Sequence, residues 1–127
     1  MYRKLLFGIL ALALISVLIA ACGIKEQLAE AKTKVGMGAT EFVETEVTIK
    51  KGDFITITND TPALHIIANG IWDGTTAKPG AEASAPKVNF SLTGKEAKKT
   101  IGPFSTAGTF KLYCTIHPKM NLIIKVE

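Results

Sequence analysis

Apolar and polar positions alternate along most of this chain from Val35 onward, with the period of two that marks half-buried strands. Residues 46–50, EVTIK, alternate, and Lys51-Gly52-Asp53 turns the chain. Residues 54–59, FITITN, are β-branched and alternate again, so Ile55 and Ile57 are expected to face a core together with Val47 and Ile49. Asn59-Asp60-Thr61-Pro62 forms a turn, and a third strand over 64–68 begins near His65. Residues 69–87 carry Gly70, Gly74, Pro79, Gly80 and Pro86 and read as a long irregular segment. Trp72, the sole tryptophan, is expected to anchor that segment on the core. Strands follow over 88–92, 98–101, 109–114 and 122–126, each bounded by turn residues. Phe110, Leu112 and Cys114 fall on one face. About seven short strands, with no convincing helix in the folded part and no repeat, predict an all-β, two-sheet sandwich.

The N-terminal segment has another pattern. Arg3 and Lys4 precede an unbroken apolar run over 5–21 that ends in small residues, the layout of a secretory signal peptide. Ile19-Ala20-Ala21-Cys22 resembles a bacterial lipobox, which implies a lipoprotein lipidated on Cys22. The alternative is an uncleaved signal anchor, for which the run is marginally long enough. Both place the domain on the extracytoplasmic face of a bacterial membrane, periplasmic or at the cell surface. Residues 23–34 are polar and read as a tether that spans roughly 40 Å when extended. The expected organisation is therefore a signal peptide over 1–21, a lipidated cysteine and tether over 22–34, and one domain over 35–127.

Composition adds two exclusions. The formal charge is +4 over 127 residues, and Arg3 and Lys4 of the leader contribute half of it. No basic block with interleaved aromatics remains, so a nucleic-acid partner is not expected. Lys95, Lys98 and Lys99 read as a solvated hairpin edge that discourages edge-to-edge pairing. The two cysteines have separate local explanations, which argues against a disulfide between them.

The chemistry concentrates in Tyr113-Cys114-Thr115-Ile116-His117-Pro118-Lys119-Met120, where a thiolate, an imidazole and a thioether share one short loop. His65 is the only other histidine. Two imidazoles, a thiolate and a weak thioether suit copper, whereas a thioether is a poor zinc ligand. Each residue alone has a plainer reading: His65 as a structural histidine, Cys114 as a small buried hydrophobe, Met120 as core. Pro118 lacks an N–H and biases His117 away from the helical region, which keeps the loop an open turn.

Residues 108–120, GTFKLYCTIHPKM, together with 47–59 and then Pro62 and His65, resemble the cupredoxins. The resemblance covers roughly residues 40 to 127. The short spacing between His117 and Met120 is most similar to the amicyanin-like loop, and plastocyanins have a longer one. The resemblance implies a Greek-key β-sandwich or barrel of about seven to eight strands, one mononuclear type 1 copper and a small electron carrier that is not an enzyme. It implies His65, Cys114 and His117 as equatorial ligands and Met120 as the axial one. It further implies an apolar patch around His117, which Ile116, Pro118 and Leu64 would supply. Tyr113, next to the thiolate ligand, could offer a second route for electrons, but a packed surface tyrosine is its plainer reading. Partners would be a redox donor and acceptor of a respiratory or photosynthetic chain, met by a monomeric domain. A module for copper delivery, storage or sensing is the alternative, but Met1 and Met37 are the only further methionines. A copper enzyme would need histidines that the chain lacks. Three departures stand out: Ile66 where many members have a bracing asparagine, Phe110 where a tyrosine is frequent, and a longer 69–87 segment.

Overall fold

The computed structural model describes residues 31–127, so the signal peptide, Cys22 and most of the tether lie outside the described residues. Nine strands and no helix are found among the described residues: β1 (Thr33–Met37), β2 (Glu46–Ile49), β3 (Ile55–Asn59), β4 (His65–Asp73), β5 (Thr76–Pro79), β6 (Asn89–Leu92), β7 (Lys98–Ile101), β8 (Gly108–Cys114) and β9 (Asn121–Val126). They form two sheets, one in the order β1-β3-β7 and the other β2-β9-β8-β4-β5 with β6 also paired to β4. The β1–β3 and β2–β9 pairs are parallel, and the remaining pairs are antiparallel. This is the two-sheet sandwich that the alternation predicts.

The core lies between the sheets. Val35, Met37, Ile55 and Ile57 enter it from the smaller sheet, and Ile67, Leu92, Phe110, Leu112, Leu122, Ile124 and Val126 from the larger one. Each fully buried aliphatic side chain of this kind contributes about 1.5–3 kcal/mol. Ile49 is buried as expected, while Val47 packs against the core only in part. Phe104 and Phe110 close the core with ring centroids 5.6 Å apart. Lys98 and Lys99 stand exposed on β7, an edge strand of the smaller sheet, where their charge opposes pairing with another chain.

Two parts of the chain are more regular than the pattern suggests. β1 starts at Thr33, inside the stretch read as tether, and pairs in parallel with β3 from that residue. The segment 69–87, read as irregular, instead continues β4 to Asp73 and returns as β5. The pairing of Asp73 with Thr76 leaves Gly74 and Thr75 as a two-residue hairpin loop, with Gly74 at φ 61°. Gly70 permits the close approach of β5: it has φ 134°, and a Cβ there would meet the Lys78 carbonyl oxygen at 2.5 Å and the Tyr113 ring at 2.8 Å. The rest of the segment is tied back by Asn69, whose side-chain amide donates to the Pro86 carbonyl at 3.1 Å and accepts from the Val88 N–H at 2.7 Å.

Candidate metal centre

His65 opens β4, and the turn before it is fixed by a buried asparagine. Asn59, fully buried, donates from its side chain to the Ala63 carbonyl at 2.7 Å and accepts from the Thr61 N–H at 3.2 Å. The Asn59-to-Pro62 turn chemistry thus becomes a rigid lead into the first histidine.

Cys114 ends β8, in the middle of the larger sheet, and is 0 % exposed. The following loop folds back on itself. The Cys114 N–H donates to the Met120 carbonyl at 3.0 Å, the Met120 N–H to the His117 carbonyl at 3.2 Å, and the His117 N–H to the Cys114 carbonyl at 3.4 Å. Lys119 adopts φ 69° to complete the turn after Pro118. The loop therefore begins and ends at one place. It delivers His117 half-buried, and Met120 is buried at 1 % exposure.

These elements bring His65, Cys114 and His117 together, with their donor atoms all within 4.8 Å of one another. The Cys114 Sγ lies 3.3 Å from the His117 Nδ1. Metal–imidazole and metal–thiolate bonds run about 2.0–2.3 Å, so the three donors can share one ion. The decisive observation is at His65. Both its ring nitrogens are buried, and neither has a hydrogen-bond partner. A buried polar group without a partner costs about 1–3 kcal/mol, and coordination of a metal would remove that cost at one of the two nitrogens of a neutral imidazole. Burial pushes the His65 pKa below its ordinary value, and His117 beside it adds to the shift. The nearby Gly38 backbone opposes this in part without reaching hydrogen-bonding geometry. A neutral imidazole is the state of histidine that binds a metal.

The surroundings place the other sequence-predicted residues. Leu64 and Ile116, the sequence neighbours of the paired imidazoles, are 44 % and 43 % exposed, and Pro118 is exposed. Tyr113 is buried, 4 % exposed, and meets Trp72 edge-on with centroids 5.9 Å apart, so it lies beneath a side chain rather than at the surface. At Ile66, the position without the expected asparagine, the main chain supplies a brace: the Thr115 N–H donates to the Ile66 carbonyl at 2.8 Å.

Sequence reasoning missed one group at this site. The Trp72 indole Nε1–H donates to the Cys114 carbonyl at 2.8 Å. The Trp72 backbone also exchanges two hydrogen bonds with the Asn121 side chain, at 2.8 and 3.0 Å. The available signal was the indole N–H itself, which takes a partner when the ring is buried.

The fold matches the cupredoxin β-sandwich, and His65, Cys114 and His117 form a cluster suited to copper. No family model matches the chain, and no curated protein matches it. Among solved structures it is similar to amicyanin from Paracoccus versutus (Thiobacillus versutus), with 26% identity over 78% of this chain and 83% of that one and a TM-score of 0.57. It is also similar to a reduced proline-to-phenylalanine amicyanin variant, at 23% identity over 80% and 87% of the two chains and a TM-score of 0.56. The Cu(I) form of a methionine-to-alanine amicyanin variant matches at 24% identity over 80% and 87%, with a TM-score of 0.54.

Proposed function

We propose that this chain is a small copper electron-transfer protein, not an enzyme, in which His65, Cys114 and His117 hold the ion and Met120 is the axial ligand. The observation that carries this reading is the buried His65 imidazole, with both nitrogens unpartnered next to a thiol and a second imidazole. Copper in such a donor set supplies one-electron chemistry between Cu(I) and Cu(II). The chain's own residues bury His65 and Cys114 away from water and brace the loop at both ends. They also leave one half-exposed imidazole, His117, facing outward. Leu64, Ile116 and Pro118 form the apolar rim through which a redox partner docks. Both histidines are used in this cluster, which leaves no imidazole in the chain for a second, catalytic copper. Met37 is fully buried and offers no surface thioether for copper delivery.

The same reading places the domain on the extracytoplasmic face of a bacterial membrane, held by lipid on Cys22, with a donor and acceptor of a respiratory or photosynthetic chain as partners. The lipobox-like Ile19-Ala20-Ala21-Cys22 supports the anchor.

The test is to add Cu(II) to the reduced protein and record visible and EPR spectra. The reading expects an intense thiolate-to-copper charge-transfer band, reversible on reduction, that Cys114→Ser abolishes. A colourless product, or colour that survives Cys114→Ser, would sink it. Mass spectrometry of the membrane-extracted protein tests the anchor: a diacylglycerol adduct on an N-terminal Cys22 supports it, and an intact leader without lipid refutes it.

A further inference from the structure

We propose that Trp72 is a positioning residue for the metal centre, acting through the Cys114 carbonyl. That carbonyl accepts the indole N–H at 2.8 Å and the His117 N–H at 3.4 Å, so one oxygen ties the indole to two of the three clustered donors. The indole bond is the shorter of the two, and it arrives from outside the loop.

Rotation about the Cys114 backbone swings both the carbonyl and the thiol, because they share one α-carbon. Holding the carbonyl restrains the backbone that carries Cβ, and the complete burial of Cys114 limits the remaining side-chain rotation that aims Sγ at the two imidazoles. The clamp is itself held. Asn121, immediately after Met120, grips the Trp72 backbone by its N–H and its carbonyl. Asp73 and Lys78 pair across the hairpin tip. Gly70 lets β5 approach the Tyr113 ring, on which Trp72 packs edge-on. The β4–β5 hairpin thus reaches the ligand loop at both of its ends, at Cys114 and beside Met120. The single bonds are each modest, but they act on a group whose direction decides the overlap between sulfur and metal.

This inference rests on the copper reading above, and its test separates the two. Trp72→Phe keeps a ring against Tyr113 but loses the donor, together with some ring volume. Asp73→Ala loosens the hairpin tip without touching the indole and serves as the control. Full-length wild type and both variants, in detergent, are loaded with Cu(II) and compared by charge-transfer band, EPR hyperfine splitting and reduction potential. In the metal-free proteins, the alkylation rate of Cys114 is followed by peptide mass spectrometry, which distinguishes it from Cys22.

If wild type forms the band, spectrum and potential decide. A changed hyperfine splitting and potential in Trp72→Phe, with Asp73→Ala like wild type, supports the proposal. Spectra and potential unchanged in Trp72→Phe overturn it, even if the melting temperature falls, and so does an equal change in Asp73→Ala. If wild type forms no band, the copper reading fails and alkylation decides alone. About fivefold faster alkylation in Trp72→Phe, the equivalent of one neutral hydrogen bond, supports the clamp, and an unchanged rate overturns it. Should Trp72→Phe fail to fold by circular dichroism, Asn121→Ala replaces it under the same criteria, because it frees the Trp72 backbone and lets the indole drift from the carbonyl.

Discussion

The His65 and His117 rings lie with centroids 4.9 Å apart and planes inclined at 59°, one ring fully buried and the other half-exposed. Their proximity and the burial of His65 both disfavour protonation of His65 in the folded chain. A histidine whose folded pKa is lowered binds fewer protons than it does unfolded. Its contribution is then complete above the ordinary value of 6.5 and lost as the pH falls through it. The metal-free protein is therefore expected to lose stability as the pH falls from about 6.5 towards the lowered folded value. Urea titrations at several pH values check this. A His65→Gln variant whose stability falls by the same amount over that range would assign the loss to other groups.

Copper that prefers the assembled site to the dispersed ligands of the unfolded chain stabilises the fold. At free copper of about 100 times Kd, the stabilisation is about 2.7 kcal/mol, which appears as a rise in Tm. His65→Ala should abolish most of that rise while leaving a folded sandwich. Thermal scans with and without Cu(II) measure it, and an undiminished rise in His65→Ala would remove His65 from the ligand set.

Gly70→Ala should destabilise the fold by about 2 kcal/mol, since it adds strain at φ 134° to a Cβ that meets the Lys78 carbonyl, Pro79 and Tyr113 within 2.8 Å. Gly74→Ala, with nothing within 4 Å of its Cβ, should be milder. Chemical denaturation of the pair gives the order, and the reverse order would contradict the hairpin packing.

Asn59→Ala strips three side-chain hydrogen bonds from the turn that leads into His65. The expected cost is about 1–3 kcal/mol, with weaker copper binding. Isothermal titration with Cu(I) in a competing chelator follows the second effect, and unchanged affinity would show that the turn does not position His65.

Leu64→Glu or Ile116→Lys should slow electron exchange with a redox partner while leaving the charge-transfer band in place, because both side chains are exposed beside the imidazoles and neither donates to the ion. Stopped-flow reduction and absorption spectra on the same samples test it. Equal exchange rates would move docking elsewhere.

The strands that alternate cleanly were legible: Ile55, Ile57, Phe110, Leu112, Leu122 and Ile124 all sit in the core where the period of two puts them. The cluster was legible for a different reason. With two histidines in the chain and one next to the loop cysteine, chemistry left few ways to build a metal site. The β4–β5 hairpin was not legible, because Gly70 reads as a strand breaker until its partner strand is known. Asp73-Gly74 was the hairpin signal within that stretch. The depth of Tyr113 was also hidden: alternation puts it opposite Cys114 and away from the core, and only the return of β5 with Trp72 covers it.

Trp72 is the sole tryptophan of the chain, so every ultraviolet photon emitted by an indole comes from a ring one hydrogen bond away from the Cys114 carbonyl. The protein carries an intrinsic fluorophore at its own metal centre. Its emission should dim as Cu(II) arrives and recover as the ion is removed by a chelator, which makes occupancy readable in dilute solution, without colour, label or partner.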